Sequence, residues 1–336
     1  MNGVPFSSVS ELETLPCWPV PVQAIRPLTG LSGGSQLIQL CDGRRYIARA
    51  QNTQLQMQGV SRERERQILG AIREQVASAT FFFPQVLFYN TDWLVVSWLE
   101  GEPWPNPLAD DEAVQRHLVA LMRRFHPIKT ALQLDIPTRL HDYCQQLSAE
   151  KHPDILFSLY ARFATLHSPR WWFPVLAHHD IHPGNLLSHG ATLALIDWEY
   201  AAHSPLACEL ILLFEANGFN AAQRQQFCHY YAEALQADAL DADGLSTDTL
   251  DQMPFVDANT AYARRESNKH SPNSLKHWLS RLQQDLASWQ PWCEMLMAMW
   301  SAIRFEQTDE AQYALWRDNY LRAAEQSLGN AHQSSE

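Results

Sequence analysis

The stretch HHDIHPGNLLSHGATLALIDWE, residues 178–199, decides the fold of this chain. Asp180 and Asn185 lie on either side of a Pro-Gly pair, which favours a loop. Asp197 follows residues 193–196, an apolar run typical of a short buried strand. One loop thus carries a carboxylate and an amide, and a second carboxylate ends the neighbouring strand. Such a set suits phosphoryl transfer, in which a carboxylate orients the acceptor hydroxyl and oxygen ligands hold Mg²⁺.

Each polar residue of this stretch has a candidate role. Asp180 would orient the acceptor hydroxyl or take its proton, and Asn185 and Asp197 would be Mg²⁺ ligands. His178 would orient the loop through hydrogen bonds, and His182 would line the site. The pattern H-H-D-x-H also leaves open a zinc or di-metal hydrolase in which both aspartates bridge the ions. The sequence has no second concentrated group of histidines, which favours phosphoryl transfer.

Residues before this stretch predict an antiparallel sheet with one inserted helix. The helix is expected over residues 61–76, because its apolar residues fall on one face. Strands are expected in five short segments, with an Asp-Gly hairpin turn at 41–44 between the second and the third: 25–28, 36–40, 45–50, 84–89 and 93–99. These elements would form a small lobe at residues 1–100.

After residue 100 the pattern becomes mainly helical. A helix should begin at the acidic pair 110–111, and residues 139–167 and most of the last 130 or so residues are also expected to be helical. The acidic segment 237–275 is expected to be a solvated loop. The sequence therefore predicts an α+β fold with two lobes, a small antiparallel β lobe over 1–100 and a larger, mainly helical lobe over 101–336.

The small lobe offers groups that suit nucleotide phosphates. A glycine-rich stretch joins the first two strands, where backbone N–H groups and hydroxyls could approach phosphate oxygens: Gly30, Ser32, Gly33, Gly34 and Ser35. It is not a Walker A loop, because no Gly-Lys-Ser/Thr follows. Arg49 ends the third strand and would reach the α- and β-phosphates. An acid from the following helix would hold Arg49, with Glu65 preferred and Glu63 as the alternative. The rest of the run 62–66 is expected to be a solvated helical face.

Composition narrows the class of protein. The chain has 336 residues, 46% hydrophobic and 18% charged, with a net charge of −12. This acidity argues against nucleic acid or an anionic membrane surface as a partner and is compatible with a cationic small substrate. No apolar run reaches about 18 residues, as a membrane span requires. The N-terminus resembles no signal peptide, and none of the six cysteines form a C-x-x-C pair, so we expect a cytoplasmic protein.

Two motifs resemble those of the aminoglycoside phosphotransferase and choline kinase-like family. HHDIHPGN at 178–185 resembles the family's catalytic loop, and IDWE at 196–199 resembles its metal-binding segment. The segment ACEL at 207–210 resembles one in which many members have aspartate where Glu209 stands here. The resemblance implies a protein-kinase-like fold, ATP with Mg²⁺, Asp180 as catalytic base, and Asn185 and Asp197 as metal ligands.

Within this family, bacterial thiamine kinases are the most similar in four regions: GLSGGS at 30–35, YIAR at 46–49, LIDWEYA at 195–201 and the tryptophan-rich C-terminal part. Residues 95–100 resemble the hinge between the lobes, where backbone groups from Ser97 to Leu99 would receive adenine. The expected function is therefore transfer of the ATP γ-phosphoryl group to a small-molecule hydroxyl, most simply that of thiamine. The alternatives are a choline-, ethanolamine- or aminoglycoside-type kinase, or a kinase-like binding protein without catalysis.

Apart from Glu199, the acceptor-binding residues are expected beyond residue 200. An aromatic and aliphatic stripe recurs there at helical spacing, and core packing is its ordinary interpretation: Trp289, Trp292, Leu296, Trp300 and Ile303. Alternatively, Trp292 or Trp300 faces the acceptor together with a carboxylate. Glu199, Glu294 and Glu306 are the candidate carboxylates. Aromatic faces and carboxylates would suit a cationic thiazolium or ammonium group.

Overall fold

The structure is a computed structural model that describes residues 9–28, 35–76, 82–105, 107–190, 192–244 and 274–333. The strands are β1 (Val22–Pro27), β2 (Ser35–Leu40), β3 (Arg45–Ala50), β4 (Val86–Tyr89), β5 (Trp93–Ser97), β6 (Glu102–Pro103), β7 (Pro174–Ala177), β8 (Leu186–His189), β9 (Thr192–Leu195) and β10 (Ala202–Pro205). The helices are α1 (Val9–Leu12), α2 (Thr53–Met57), α3 (Arg62–Gln75), α4 (Glu112–Phe125), α5 (Ile136–Gln146), α6 (Asp154–Ala164), α7 (Leu206–Ala216), α8 (Ala221–Gly244), α9 (Leu275–Thr308) and α10 (Ala311–Gln333).

The first five strands form one antiparallel sheet in the order β1-β2-β3-β5-β4. Successive side chains of a strand point to opposite faces. On β3, Ala48 and Ala50 pack on the face that Leu12 of α1 covers, whereas Ile47 packs against the core on the other face. Arg49 shares the face of Ile47, so the alternation directs this cation toward α3 and the rest of the protein.

Helix α3 agrees closely with the helix predicted at 61–76. Ser61 caps it, since its side-chain oxygen accepts a hydrogen bond from the backbone N–H of Arg64 at 3.3 Å. Its apolar face is buried in the main core through Ile68, Leu69 and Ile72. The cap fixes where the helix begins, and the buried face fixes its rotation, so its first turn lies beside Arg49.

The rest of the chain is mainly helical around two small β units. The hairpin β8–β9 is extended by β6, and β7 pairs with β10. Helices α4, α7 and α8 enclose these strands in the main core, while α5, α6, α9 and α10 share a second core. One antiparallel sheet followed by a mainly helical part agrees with the α+β, two-lobed fold that the sequence predicts.

Several details differ from the expectations. Residues 237–244 are the end of α8, so the expected loop at 237–275 is wrong there, and residues 245–273 lie outside the described residues. Strand β5 ends at Ser97 rather than at 99. The short strands β7 and β10 were not predicted, because four residues with a proline at one end carry little periodic signal. Among the described helices, none combines the length and apolarity needed to cross a lipid bilayer.

Candidate active site

The loop at 178–185 is fixed by one buried carboxylate. Glu209, at the start of α7, accepts hydrogen bonds from the backbone N–H groups of His178 at 3.0 Å and His179 at 2.7 Å. Burial acts to raise the pKa of Glu209, but the adjacent imidazole of His126 and the histidines of the loop outweigh it and lower this pKa to about 2. A charged acceptor therefore holds two successive backbone donors, which sets the direction in which the loop leaves β7.

His178 connects this loop to the second carboxylate. Its Nε2 lies 2.9 Å from the carbonyl oxygen of Ile196, and its Nδ1 accepts from the backbone N–H of Asp180 at 3.2 Å. Nδ1 accepts while Nε2 faces a carbonyl oxygen, so this geometry requires a neutral ring with Nε2 as the donor, and burial, which lowers the pKa of His178, acts in the same direction. His178 thus joins the segment of Asp180 to that of Asp197, as its expected orienting role requires.

Asp180 and Asn185 contact each other directly. The Nδ2 group of Asn185 donates to the carboxylate Oδ2 of Asp180 at 2.8 Å and to its carbonyl oxygen at 2.9 Å. Nδ1 of His182 accepts from the N–H of Gly184 at 3.1 Å, and Nε2 of His182 lies 3.7 Å from Oδ2 of Asp180. The Asp180 carboxylate raises the pKa of His182. The loop therefore presents a carboxylate whose orientation Asn185 fixes.

Asp197 occupies a strained position directly after β9. Its backbone is left-handed, with φ +67°, and it precedes a 3₁₀ turn at Trp198–Tyr200. The fully buried Trp198 anchors this turn by donating from Nε1 to the carbonyl oxygen of Leu195 at 2.9 Å. A non-glycine residue in this conformation costs free energy, and such strain concentrates at functional sites. The turn directs the Asp197 side chain toward Arg49 of the sheet.

Arg49 belongs to a charge cluster of five residues that joins the sheet, α3 and the turn after β9. Its Nη2 contacts Oδ1 of Asp197 and donates to Oε2 of Glu199 at 2.6 Å, and its Nη1 lies 3.4 Å from Oε1 of Glu65. Arg62 completes the charge cluster, since its Nη1 donates at 2.8 Å to both Glu65 and Glu199. Arg62 is fully buried. Two arginines thus face three carboxylates, and four of these five residues are buried.

Burial and charge act in opposite directions within this charge cluster. Burial and the neighbouring Asp197 carboxylate raise the pKa of Glu199 to about 7. At Asp197, burial acts to raise the pKa, but Arg49 and Arg62 outweigh it and leave the pKa below its usual range. Asp197, with a side chain 24% exposed, therefore remains the ionised carboxylate at the surface of the charge cluster.

The structure brings together most of the residues predicted in the catalytic and phosphate-binding sets. Asp180, Asn185, Asp197, Arg49 and Glu65 are connected through the contacts described above. Gly30, Ser32, Gly33 and Gly34 lie outside the described residues. Ser35, at the end of that stretch, is paired with Arg49 across β2 and β3.

The two residues predicted at the adenine hinge differ in their hydrogen bonding. The N–H of Ser97 donates to the carbonyl oxygen of Gln85 at 2.8 Å, and its hydroxyl accepts from the N–H of Gln85 at 2.9 Å. The Ser97 N–H is therefore already used within the sheet. Leu99 lies beyond the end of β5, where no strand among the described residues pairs with its backbone, and it stays a prediction as an adenine contact.

Three of the candidate acceptor-binding residues lie elsewhere and require correction. Trp292 is buried and packs edge-on against Phe163 in the second core. Oε1 of Glu306 accepts from the N–H of Ser148 at 2.5 Å and lies 3.0 Å from Nε2 of His152. Glu199 is buried in the charge cluster. Helical spacing could not distinguish these residues from residues that line a pocket. It predicts which face of a helix a residue lies on, but not which other segments pack against that face.

Trp300 does approach the site. Its Nε1 donates to the hydroxyl of Tyr200 at 3.1 Å, and Tyr200 ends the same 3₁₀ turn that Asp197 precedes. The sequence interpretation did not single out Tyr200. Arg62 was also missed, and the expectation that it lies on a solvated helical face is wrong because the charge cluster buries it. For Glu209, the resemblance of the ACEL segment at 207–210 to a segment of the family had indicated a role.

The geometry does not favour the alternative of a metal hydrolase. The rings of His178 and His179 are taken up by protein groups, since His179 contacts the carbonyl oxygen of Tyr200 at 3.0 Å and the hydroxyl of Ser204 at 2.7 Å. Within the described ranges, no group of three or more His, Cys, Asp or Glu side chains is arranged to hold a metal ion. A zinc site would need such a group.

Comparison with known proteins gives one family and one fold. The model of the phosphotransferase enzyme family matches residues 28–243. The thiamine kinase of Escherichia coli O1:K1 is 25% identical over 295 residues, which cover 88% of this chain and 87% of that protein. The crystal structure of choline kinase LicA from Streptococcus pneumoniae aligns with a TM-score of 0.59 at 15% identity, covering 92% of this chain and 94% of that chain. LicA in complex with AMP aligns with a TM-score of 0.61 at 14% identity, covering 95% and 96%.

Proposed function

Because the chain belongs to the phosphotransferase enzyme family, and is thus an ATP-dependent kinase of small-molecule hydroxyl groups, we propose that its acceptor is thiamine. The similarity to thiamine kinase extends over most of both chains, which supports this choice of acceptor. The observation that carries the chemistry is the convergence of Asp180, Asn185 and Asp197 with Arg49. The proposed product is thiamine phosphate.

Asp180 is the proposed partner of the acceptor hydroxyl. Its carboxylate is 34% exposed and is held by the Nδ2 group of Asn185, so one side remains open to a substrate. Phosphoryl transfer through a loose transition state depends more on positioning than on base strength. Asp180 would accept the hydroxyl proton while it aligns the oxygen with the γ-phosphorus atom.

Arg49 is the proposed contact for the α- and β-phosphates. It already contacts Asp197 and Glu199, and it lies opposite Ser35 at the end of the glycine-rich stretch. A guanidinium can donate two parallel hydrogen bonds to phosphate oxygens. The buried carboxylates of Glu65 and Glu199 would hold Arg49 in place when Asp197 turns to a metal ion.

Asn185 and Asp197 offer a donor set that fits Mg²⁺. The Nδ2 group of Asn185 is used by Asp180, which leaves its Oδ1 as a ligand, and Arg49 contacts only Oδ1 of Asp197. Mg²⁺ prefers hard oxygen ligands and needs few from the protein, because water and phosphate oxygens complete its shell. When bound, Mg²⁺ would neutralise the charge that spreads over the transferred phosphoryl group.

The aromatic pair of Trp300 and Tyr200 is the proposed wall of the acceptor pocket. Both side chains lie beside the turn that carries Asp197, and Trp300 also packs edge-on against Tyr313. A thiazolium cation is attracted to aromatic faces, and the acidic character of the chain acts in the same direction. The expected cationic substrate and cytoplasmic location both belong to this proposal.

ATP consumption across a panel of acceptors tests the proposal. Purified protein with Mg²⁺ and ATP would be given thiamine, choline, ethanolamine, a macrolide or an aminoglycoside, with Asp180→Asn as the inactive control. We expect thiamine to give the highest kcat/KM and thiamine phosphate to form. Turnover of another acceptor alone would refute thiamine but retain the kinase mechanism. Mg²⁺-dependent nucleotide binding without turnover of any acceptor would point to a non-catalytic binding protein.

A further inference from the structure

A cavity of about 490 Å³ lies between the α2–α3 segment and α5. Arg64 from α3 and Arg139 from α5 both line it, together with Tyr143 and Asp142 of α5. The residues of the candidate active site, including Asp180 and the charge cluster, are absent from its walls. The cavity thus shares no lining residue with the proposed site of phosphoryl transfer, and the function described above leaves it without a role.

The two guanidinium groups of this cavity are not paired with any acidic side chain of the described ranges. In the described part of the chain, neither Arg64 nor Arg139 makes an ion pair, whereas Arg62 and Arg66 on the same helix both do. Nη2 of Arg64 donates only a long hydrogen bond, 3.5 Å, to the carbonyl oxygen of Gln133. Burial and the positive charge of Arg139 lower the pKa of Arg64. Two cations therefore share one cavity and repel each other.

The backbone makes room for one of these cations. Gly59 has φ +82°, and a Cβ atom built on it would lie 1.3 Å from Nη1 of Arg139. Any side chain at this position would therefore displace the guanidinium. Arg139 also lies over the ring of Tyr143 at 5.7 Å, and the hydroxyl of Tyr143 is fixed by the carbonyl oxygen of Gln58 at 2.7 Å. Arg139 is thus seated by its surroundings in an orientation that faces the cavity.

We propose that this cavity binds a phosphate-bearing anion between Arg64 and Arg139. A phosphate group carries up to two negative charges and presents several acceptor oxygens, so it can take paired hydrogen bonds from two guanidinium groups at once. A single carboxylate would neutralise only one of the cations, and Asp142 already contributes one negative charge to the wall. Free phosphate and a phosphate monoester share this chemistry.

Such an anion would connect the two lobes close to the charge cluster that holds Arg49. Arg64 lies in the same turn of α3 as Arg62 and Glu65, which hold Arg49 in the charge cluster. A ligand that joins Arg64 to Arg139 would therefore fasten this turn to α5.

Calorimetric titration with inorganic phosphate, and separately with glycerol 2-phosphate, tests the proposal. The full chain would first be saturated with Mg²⁺ and a nonhydrolysable ATP analogue, so that the nucleotide site cannot take the phosphate, and ionic strength would be held constant. We expect one equivalent to bind. The double variant Arg64→Gln/Arg139→Gln should weaken binding by roughly tenfold or more, because charge-assisted hydrogen bonds are lost. Tighter binding of one titrant than of the other would identify the source.

Two further variants complete this experiment. Arg162→Gln removes one exposed positive charge from α6 and should leave the affinity for phosphate unchanged. Asp142→Asn removes the negative charge from the cavity wall and should tighten binding several-fold, which tests the site even if the double variant fails to fold. Equal phosphate affinity in the wild type, the double variant and Asp142→Asn would overturn the proposal, as would the absence of binding to the wild type.

Discussion

Arg49 on β3 and the loop at 178–185 both depend on buried glutamates, but through different interactions. Glu65 and Glu199 hold Arg49 by charge, in a group where two arginines share three carboxylates. Glu209 holds the loop by accepting two backbone N–H groups in defined directions. Charge attraction tolerates rearrangement, whereas paired backbone hydrogen bonds do not. We therefore expect the charge cluster to rearrange when nucleotide and metal bind, and the loop to keep its conformation.

Removal of the carboxylate from the loop should give the largest effect of all. Asp180→Asn keeps the size of the side chain but loses the group proposed to receive the hydroxyl proton. We expect kcat to fall by roughly 10² to 10⁴ with little change in melting temperature. Steady-state kinetics and thermal unfolding measure both. Near-normal kcat would remove Asp180 from the mechanism and leave the loop with a structural role only.

Loss of an arginine from the charge cluster should lower the free energy of unfolding strongly, with little effect on KM for the acceptor. Arg62→Met leaves Glu65 and Glu199 with Arg49 as their shared partner, and breaking a buried ion pair costs about 3–5 kcal/mol of unfolding free energy. KM for ATP should rise as well, because Glu65 and Glu199, which hold Arg49, lose the second arginine that positions them. Chemical denaturation and kinetics measure both effects.

A matched control for this prediction lies on the same helix. Arg66→Met removes an exposed ion pair with Glu63 and should cost about 1 kcal/mol or less. Similar losses for Arg62→Met and Arg66→Met would show that the charge cluster does not hold the sheet to the rest of the fold.

The loop should show its dependence on Glu209 at acid pH. The pKa of Glu209 lies at about 2 in the folded state, below its ordinary value of 4.5. A lowered carboxyl pKa stabilises the fold above pH 4.5, and this contribution of roughly 3 kcal/mol is lost as the pH falls from 4.5 to 2. Buried His126, His178 and His179 also have lowered pKa values, so their protonation reduces stability at pH values below 6.5.

Glu209→Gln separates these two effects. The carboxylate accepts one hydrogen bond on each of its two oxygens, whereas the glutamine amide has only one oxygen for the two N–H donors. The variant should therefore be less stable at pH 7. The stability difference between wild type and variant should then shrink between pH 4.5 and pH 2 in urea denaturation. A constant difference over this range would mean that the loop does not rely on an ionised Glu209.

Substitution of Trp292 or Trp300 on α9 should give the smallest effects. These two variants compare a tryptophan of the core with one proposed to contact the acceptor. Trp292→Leu should cost about 2 kcal/mol of stability, less than the 3–5 expected for truncation to alanine, and leave KM for thiamine unchanged. Trp300→Leu should raise KM for thiamine by roughly tenfold, with a smaller loss of stability. Each variant serves as the control for the other. The reverse pattern would move the acceptor pocket away from Trp300.

Local sequence was sufficient for much of the fold. Alternation and turn residues gave strands β2 and β3 and their hairpin, and Ser61 with the apolar face gave α3 within a residue at each end. These signals work because capping and alternation act between residues close in the chain. The four-residue strands β7 and β10 escaped prediction because their pairing depends on partners 25 to 31 residues apart, from Ala177 with Ala202 to Pro174 with Pro205.

The sequence by itself determined which groups we propose for the chemistry. The spacing of Asp180, Asn185 and Asp197 indicated phosphoryl transfer, because the loop and strand that carry them are defined by local residue types. Only the tertiary structure decided how those groups are held, in the burial of Arg62 beside Glu199 and in the two backbone donors that meet Glu209. It also separated Trp300 from Trp292, two turns apart on one helix. The burial and the charge partners of a residue depend on segments that are distant in the chain. A local sequence pattern therefore cannot predict which of those segments will pack against it.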